Sequence, residues 1–520
     1  MSATSTSPTR QLTQRHLTAL LILMCAGLAM TIAANVSLNI ALPQFGEAVG
    51  ATQSQLSWGM NAYTLPFAAL LLPAGAVADR MGLRYAVSLG LLVFGLASLV
   101  SAFVDDAAWF IALRVVSALG ATLVLPATLS VLTRSFPAER RAKAVGIWAA
   151  VSGSGAVLGL VLGGVLILFF WWGSVLASTG IVAILVGIAS FIVVPTYRRD
   201  TDEPIDILGS VLFACALGLL VYALIQGPEA GWASTAIIGS AIAGTVLMAA
   251  FVIAQLRLRA PLLDVRLFKS RALSTASLTI VLQFAATIGL FLLLPQMLQN
   301  VREYNPLIAA LALIPLPVGI AIGSQVAEKT QGRLGERTAV GGGVLVSALA
   351  FAGLGLQGPY GSFWFLGVAL AVFGTGFGLS TTVATTMIIE AIPGEDNSTA
   401  AALNDALREV GAAIGIALLG TILNIGYRAQ ITVETRSLDP SAAEAIRDGF
   451  GPATQVIATM GEQGDELLAM VREAFYIGYQ GSVFTAAALL VAVAAVVVIA
   501  GPRPGSRTTT ESHEERTPQS

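Results

Sequence analysis

Apolar runs of about 20 residues follow one another along almost all of this 520-residue chain, and they constrain the fold more than any motif does. A stretch of ~20 apolar residues crosses the ~30 Å hydrocarbon core as an α-helix, in which backbone N–H and C=O groups satisfy one another. The runs fall near 17–42, 55–78, 85–104, 107–133, 142–168, 173–195, 206–226, 235–256, 273–300, 306–330, 337–356, 362–392, 398–424 and 478–501, which makes fourteen expected spans. With 56% hydrophobic and 11% charged residues, the composition excludes an ordinary soluble domain. The expected fold class is an all-α polytopic membrane protein.

Cations order the runs. Arg80/Arg84, Arg134/Arg140/Arg141/Lys143, Arg198/Arg199, Arg257 to Arg271 and Lys329/Arg333/Arg337 occupy alternate loops, which the positive-inside rule makes cytoplasmic. The even count then puts both termini inside, in a plasma (inner) membrane. The loop at Glu395 and Asp396 is the exception, since it holds no Lys or Arg. The first run follows Arg10 and Arg15 but is too long for the core of a signal peptide, so it reads as a span.

A weak internal repeat divides the chain. Asp79-Arg80-Met81-Gly82-Leu83-Arg84 is echoed by Gly332-Arg333-Leu334-Gly335-Glu336-Arg337. Repeated halves are a common build of secondary transporters. The expected organisation is a cytoplasmic tail 1–16, a six-helix bundle 17–200, two inserted central helices 201–262, a second six-helix bundle 263–502 with an external loop 428–476, and a disordered tail 503–520. Within that loop, 441–448 and 464–475 read as short amphipathic helices of a cap.

The first echo element, Gly75 to Arg84, reads as a gating loop. Gly82 supplies a residue able to take positive φ between two spans, while Asp79, Arg80 and Arg84 form an ionic latch at the membrane face. Gly155, Gly159 and Gly163 recur every four residues and, with Gly164, read as a helix-packing face.

Charges inside an apolar span are costly and therefore candidates for function. Asp405 and Glu409, at i and i+4 of the thirteenth run, lie on one helix face. Two such neighbours in low dielectric do not both stay ionised at neutral pH, so one of them is a proton carrier. The competing reading is that Arg408 and solvent neutralise them. Arg114, about two turns into the fourth run, needs an anion or several carbonyls. Asn35, Asn39, Trp58, Asn61, Tyr63, Gln283, Phe284, Phe291, Gln296 and Gln299 are the polar and aromatic residues expected to line a cavity for an amphipathic small molecule.

The only histidines, His16 and His513, lie near the two chain ends, and Cys25 and Cys215 sit inside apolar runs, so no metal site, cofactor or catalytic constellation is expected. No phosphate-cradling Gly-Lys-Ser/Thr sequence is present, which leaves ATP out as energy source, and no nucleic-acid partner is expected. The expected partners are an amphipathic substrate, protons and the lipid bilayer.

Asp79 to Arg84 resembles the loop signature of the major facilitator superfamily, and the fourteen runs resemble its drug:proton antiporter branch. Trp58 to Tyr63, Arg114 with Gly120 and Pro126, and Gly155 to Gly164 are similar to the same branch, while Asn404 to Gly411 followed by a long external loop looks most like the quaternary-ammonium and methyl-viologen exporters. The resemblance implies alternating access by two rocking six-helix bundles, with export coupled to proton entry at Asp405, Glu409 and Arg114. It also implies that the second span packs on the thirteenth, so that Asp79 faces the helix start near Ser398. Two departures stand out. Leu160 replaces a proline usual after the second glycine, and Ala34, flanked by Asn35, and Asn61 stand where cation exporters carry acids. Export of an endogenous lipid, glycolipid or secondary metabolite, and a non-transporting membrane sensor, are the alternatives.

Overall fold

The computed structural model describes residues 13–49, 53–196, 206–258, 261–392, 397–435, 438–458, 460 and 462–501. Both expected tails past these limits, and the charged linker before residue 206, lie outside the described residues. Helices account for nearly everything described. The first half comprises α1 (Gln14–Val49), α2 (Gln53–Met81), α3 (Leu83–Ser101), α4 (Ala107–Ser135), α5 (Ala138–Phe169) and α6 (Ser174–Val193). The inserted pair is α7 (Ile207–Ala230) and α8 (Thr235–Arg257). A 3-10 turn (Val265–Lys269) leads to α9 (Arg271–Asn300), a short α10 (Pro306–Leu311), α11 (Pro315–Leu334), α12 (Glu336–Leu356), α13 (Phe363–Ala391) and α14 (Asn397–Glu434). Two short helices, α15 (Pro440–Asp448) and α16 (Phe450–Ile457), precede α17 (Glu462–Ala500).

Thirteen of these helices carry a stretch long and apolar enough to cross a membrane. The fourteenth long helix, α5, contributes the shorter apolar stretch Gly159–Phe169 among the described residues. The perimeter is apolar, as a lipid-facing surface requires, with Ile192 77% and Trp364 82% exposed.

The repeat read from sequence has a structural counterpart. Gly82 (φ 91°) is the single residue between α2 and α3, and Gly335 (φ 79°) is the single residue between α11 and α12. Positive φ at so abrupt a turn suits a residue with no Cβ. Each turn's arginine reaches the last helix of its own half: Arg84 Nε donates to the Val194 carbonyl at the end of α6 (2.5 Å), and Arg337 lies beside Gly501 at the end of α17.

The inserted pair is not a detached appendage. Helix α7 packs on α2 and α14, one helix from each half. The Trp58 ring stacks on Tyr222 at 6.5 Å, and Trp232 Nε1 donates to Thr421 Oγ1 at 3.1 Å. Asp206 caps α7 at the Gly209 amide (2.7 Å) and accepts from Gln255 Nε2 (2.6 Å) and the Leu262 amide (3.3 Å), which ties both ends of the insertion together.

The segment expected as a cap is helical but divided differently from expectation. Helix α15 is bound to α14 through Tyr427, whose hydroxyl donates to the Ile446 carbonyl (2.7 Å), and through Arg447 to Thr435 (3.0 Å). The segment 464–475 is not a separate short helix. It is the first part of α17, because Phe475 packs on Phe450 and Arg472 pairs with Glu303, so tertiary contacts continue the helix into the apolar run.

Candidate functional site

Helix α14 carries the chemistry because it packs against both halves: on α9 and α17 of its own, and on α2 and α4 of the other. Asp405, Arg408 and Glu409 occupy i, i+3 and i+4 of this helix and so share a face. Asp405 is 1% exposed and Arg408 4% exposed. Their approach is loose, with Arg408 Nη1 at 3.8 Å from Asp405 Oδ1, beyond hydrogen-bond distance. Asp405 Oδ1 accepts from Asn404 Nδ2 (3.3 Å), and Asn404 Oδ1 accepts from Thr385 Oγ1 (3.0 Å). The other carboxylate oxygen, Oδ2, is buried with no hydrogen-bond partner among the described residues.

Arg408 points across the interface between halves. Its Nη1 donates to Ser152 Oγ of α5 (2.8 Å), and its guanidinium lies over the Trp148 ring of α5 (4.7 Å) and the Phe284 ring of α9 (5.0 Å). Trp148 is itself fixed, because Nε1 donates to Thr128 Oγ1 of α4 at 3.1 Å. From sequence Arg408 reads only as a neutralising neighbour in a solvated region. Its burial and its partners 256 residues away make it the central cross-half contact.

A second arginine cluster lies in the first half. Arg114 donates to Asn35 Oδ1 (2.9 Å, Nη2) and the Gly59 carbonyl (3.2 Å, Nε), and stacks on the Tyr63 ring at 4.5 Å. Of the two solutions open to a buried arginine, an anion or uncharged oxygens, the structure shows the second, with one side-chain amide oxygen and one backbone carbonyl. Glu409 follows Asp405 by one helical turn on the same face of α14.

The remaining expected residues separate. Tyr63 is buried and donates to the Thr31 carbonyl (3.1 Å), while Asn61 is half-buried on α2. Phe284 pairs with Phe377 at 5.3 Å and underlies Arg408, and Phe291 is packed on the core. One expectation is corrected, and two further residues are held by other contacts. Gln283 is fully buried and donates to Ser347 (3.1 Å) and Ser380 (2.8 Å), so it fastens α9 to α12 and α13 rather than facing a substrate. Trp58 faces Tyr222 of the insertion. Gln296 Nε2 bonds back to the Leu292 carbonyl of its own helix (2.7 Å). The Asn39 side chain lies outside the described residues.

In the gating loop, Asp79 pairs with Arg134 of α4 at 2.9 Å. Gly75 is buried within α2, and Arg80 sits in its last turn, where a cation complements the helix dipole. The expected contact of Asp79 with the start of α14 falls on Asn397 and Ser398, whose side chains lie outside the described residues. At this same end, a Cβ on Gly146 of α5 would meet the Ser324 carbonyl of α11 at 3.2 Å, so the two halves approach closely there.

The glycine face packs α5 on α1. A Cβ would meet Ile32 at 3.0 Å from Gly155, the Ala33 backbone at 2.8 Å from Gly159 and Ser37 at 2.9 Å from Gly163. Gly164 is corrected: a Cβ there would meet no neighbouring group within 4 Å, since the next residue points about 100° further round the helix. Helix α5 runs unbroken through Leu160. No group of three His, Cys, Asp or Glu suited to a metal occurs among the described residues.

Two bundles, each with one single-glycine turn of its own, and charged residues on the helices where they meet are the setting in which the comparisons fall. A model of the Major Facilitator Superfamily matches residues 19–416. The chain belongs to that superfamily. The methyl viologen resistance protein SmvA of Salmonella typhimurium is 31% identical over 478 residues, covering 91% of this chain and 96% of that one. The multidrug resistance protein Stp of Mycobacterium tuberculosis is 30% identical over 498 residues, covering 94% and 92%. A bacterial homologue of the human lysosomal transporter Spinster, solved inward-facing and unoccupied, shares the superfamily fold with a TM-score of 0.59 at 18% identity, covering 94% and 98%. The resemblance carried by Asp79 to Arg84 and by Asn404 to Gly411 is thus borne out at the level of family and branch.

Proposed function

We propose that this chain is a secondary active exporter of amphipathic small molecules, working by alternating access and driven by proton antiport, in an inner membrane with both termini cytoplasmic. The names of SmvA and Stp, for methyl viologen and multidrug resistance, support a drug-like cargo. The observation that carries proton coupling is Asp405. This carboxylate is buried on a helix that touches both halves, only loosely paired with Arg408, and has one oxygen without a hydrogen bond among the described residues. An intramembrane carboxylate so placed takes a proton readily and changes the charge of a cross-half contact when it does. Arg114 and Glu409 form the second part of the relay, through Tyr63. Asp79, Arg80 and Arg84 close the cytoplasmic side.

The test is efflux from proteoliposomes across an imposed pH gradient, for cationic, neutral and anionic compounds. Asp405→Asn is expected to lower gradient-driven efflux about tenfold or more, equivalent to ~1.4 kcal/mol or above. Equal efflux with the same gradient dependence would remove Asp405 from coupling. A wild-type protein that moves no compound would turn the reading toward a sensor.

A further inference from the structure

On the side of α15 and α16, the rim of the second half holds a buried cation that no acid meets among the described residues. Arg302 follows the last turn of α9 and is 9% exposed. One hydrogen bond secures its guanidinium, from Nε to the Pro359 carbonyl in the turn between α12 and α13 (2.8 Å). Nη1 and Nη2 are both buried with no hydrogen-bond partner among the described residues, and no other arginine there leaves two buried nitrogens in that condition. A guanidinium carries five donors and keeps its charge at any physiological pH. Taking such a charge out of water with nothing opposite it is strongly unfavourable, so the site is complete only with an acceptor from elsewhere.

The nearby acids are engaged or face solvent. Glu303, the next residue, takes φ 56° and pairs with Arg472 of α17, while Glu473 beside Arg472 is exposed. The groups that share the turn with Arg302 are uncharged. Tyr476 of α17 donates its hydroxyl to the Gln357 carbonyl, two residues before Pro359, and its ring lies 6.3 Å from that of Tyr479. The end of α9, the α12–α13 turn and α17 thus meet around one unneutralised guanidinium.

Its depth names the partner. Helix α9 runs 30 residues from Arg271 to Asn300, a rise of about 45 Å, which is the thickness of a bilayer with its headgroups. Arg302 lies just past that end, at headgroup level. The same turn and the start of α13 expose Tyr360, Phe363 and Trp364, the aromatic belt of a membrane–water interface. We infer that Arg302 binds the phosphate of a phospholipid in the leaflet on this side, its Nη pair donating to two phosphate oxygens in the fork geometry that guanidinium favours. Both nitrogens lie beneath the protein surface, so the headgroup enters as the turn shifts, a freedom given by Gly358 and Gly361 on either side of Pro359 and Tyr360. The bound phosphate neutralises Arg302 and fixes the end of α9 to the turn.

The experiment is native mass spectrometry and thermal unfolding of the full-length protein in detergent with didecanoyl phosphatidylglycerol. Didecanoylglycerol, which lacks the phosphate, and inorganic phosphate are the controls. The wild type is expected to retain the phospholipid and to unfold at higher temperature with it, and to do neither with the controls. Arg302→Gln is expected to lower retention about tenfold or more, as the loss of two charge-assisted bonds requires. Arg302→Lys keeps the charge without the planar fork and is expected to retain an intermediate amount, which separates lost binding from a folding defect. Arg447→Gln, a cation of α15 on the same side, is expected to change nothing. Full retention in both Arg302 variants, an equal loss in Arg447→Gln, or equal retention of didecanoylglycerol would overturn the inference. Stabilisation by inorganic phosphate as strong as by the phospholipid would overturn its assignment to a lipid. Binding is read without flux, so the outcome is independent of the export reading.

Discussion

Asp79 at the end of α2 holds Arg134 of α4 at 2.9 Å, with side chains only 4% and 13% exposed. This pair lies within one half and pins α2, which packs on α14, to α4, which carries Arg114. Removing one partner of a screened pair costs more than removing both. A double-mutant cycle with Asp79→Asn and Arg134→Gln is expected to show coupling of ~1–3 kcal/mol in thermal or denaturant unfolding. Strictly additive losses would mean that the contact is incidental.

How much of this was legible follows from where each residue's partners lie. The gating loop was readable because Gly82 and its charges interrupt two apolar runs, so the break itself marks the turn. Periodicity exposed the glycine face of α5, but not that α1 is its partner, and it drew in Gly164 by adjacency alone. Gln283 was misread for a physical reason: a polar residue in an apolar run looks unpartnered when its partners, Ser347 and Ser380, are 64 and 97 residues away. Arg408 suffered the same way. A neighbouring acid was visible three residues back, whereas the aromatic faces that define its site come from α5 and α9.

The two single-glycine turns invite a matched comparison. Gly82 at φ 91°, ψ 136° and Gly335 at φ 79°, ψ 163° occupy a region nearly closed to other residues. Gly82→Ala and Gly335→Ala are each expected to cost ~1–3 kcal/mol of stability. Similar losses in unfolding experiments would show that the halves share a structural device. If only the Gly82 variant loses efflux, the gating role belongs to the half that bears Asp79.

Packing between α5 and α1 yields a sharper contrast. A Cβ on Gly159 would lie 2.8 Å from the Ala33 Cα and carbonyl oxygen, which are backbone and cannot turn aside. Gly159→Ala is therefore expected to destabilise by ~1–3 kcal/mol through overpacking. Gly164→Ala, with nothing within 4 Å, is expected to be neutral or slightly stabilising, since alanine favours the helix by ~1 kcal/mol. Equal tolerance of both changes in unfolding measurements would remove the packing role.

Asn35 tests how tightly Arg114 is meant to be held. Its amide oxygen accepts from Arg114 Nη2 at 2.9 Å, at a position flanking one where cation exporters of the branch carry an acid. Asn35→Asp converts a neutral acceptor into a carboxylate and turns a bond with one charged partner into an ion pair, worth ~1 kcal/mol more than the amide's. The stronger bond anchors Arg114 to α1 and, on the proposed relay, competes with Glu409. The expected outcome is a protein that unfolds at higher temperature yet exports several-fold more slowly, because the first-half cluster no longer responds to α14. A faster exporter would show instead that Arg114 is limited by too weak a counter-charge, and that its exchange with Glu409 is not part of the cycle.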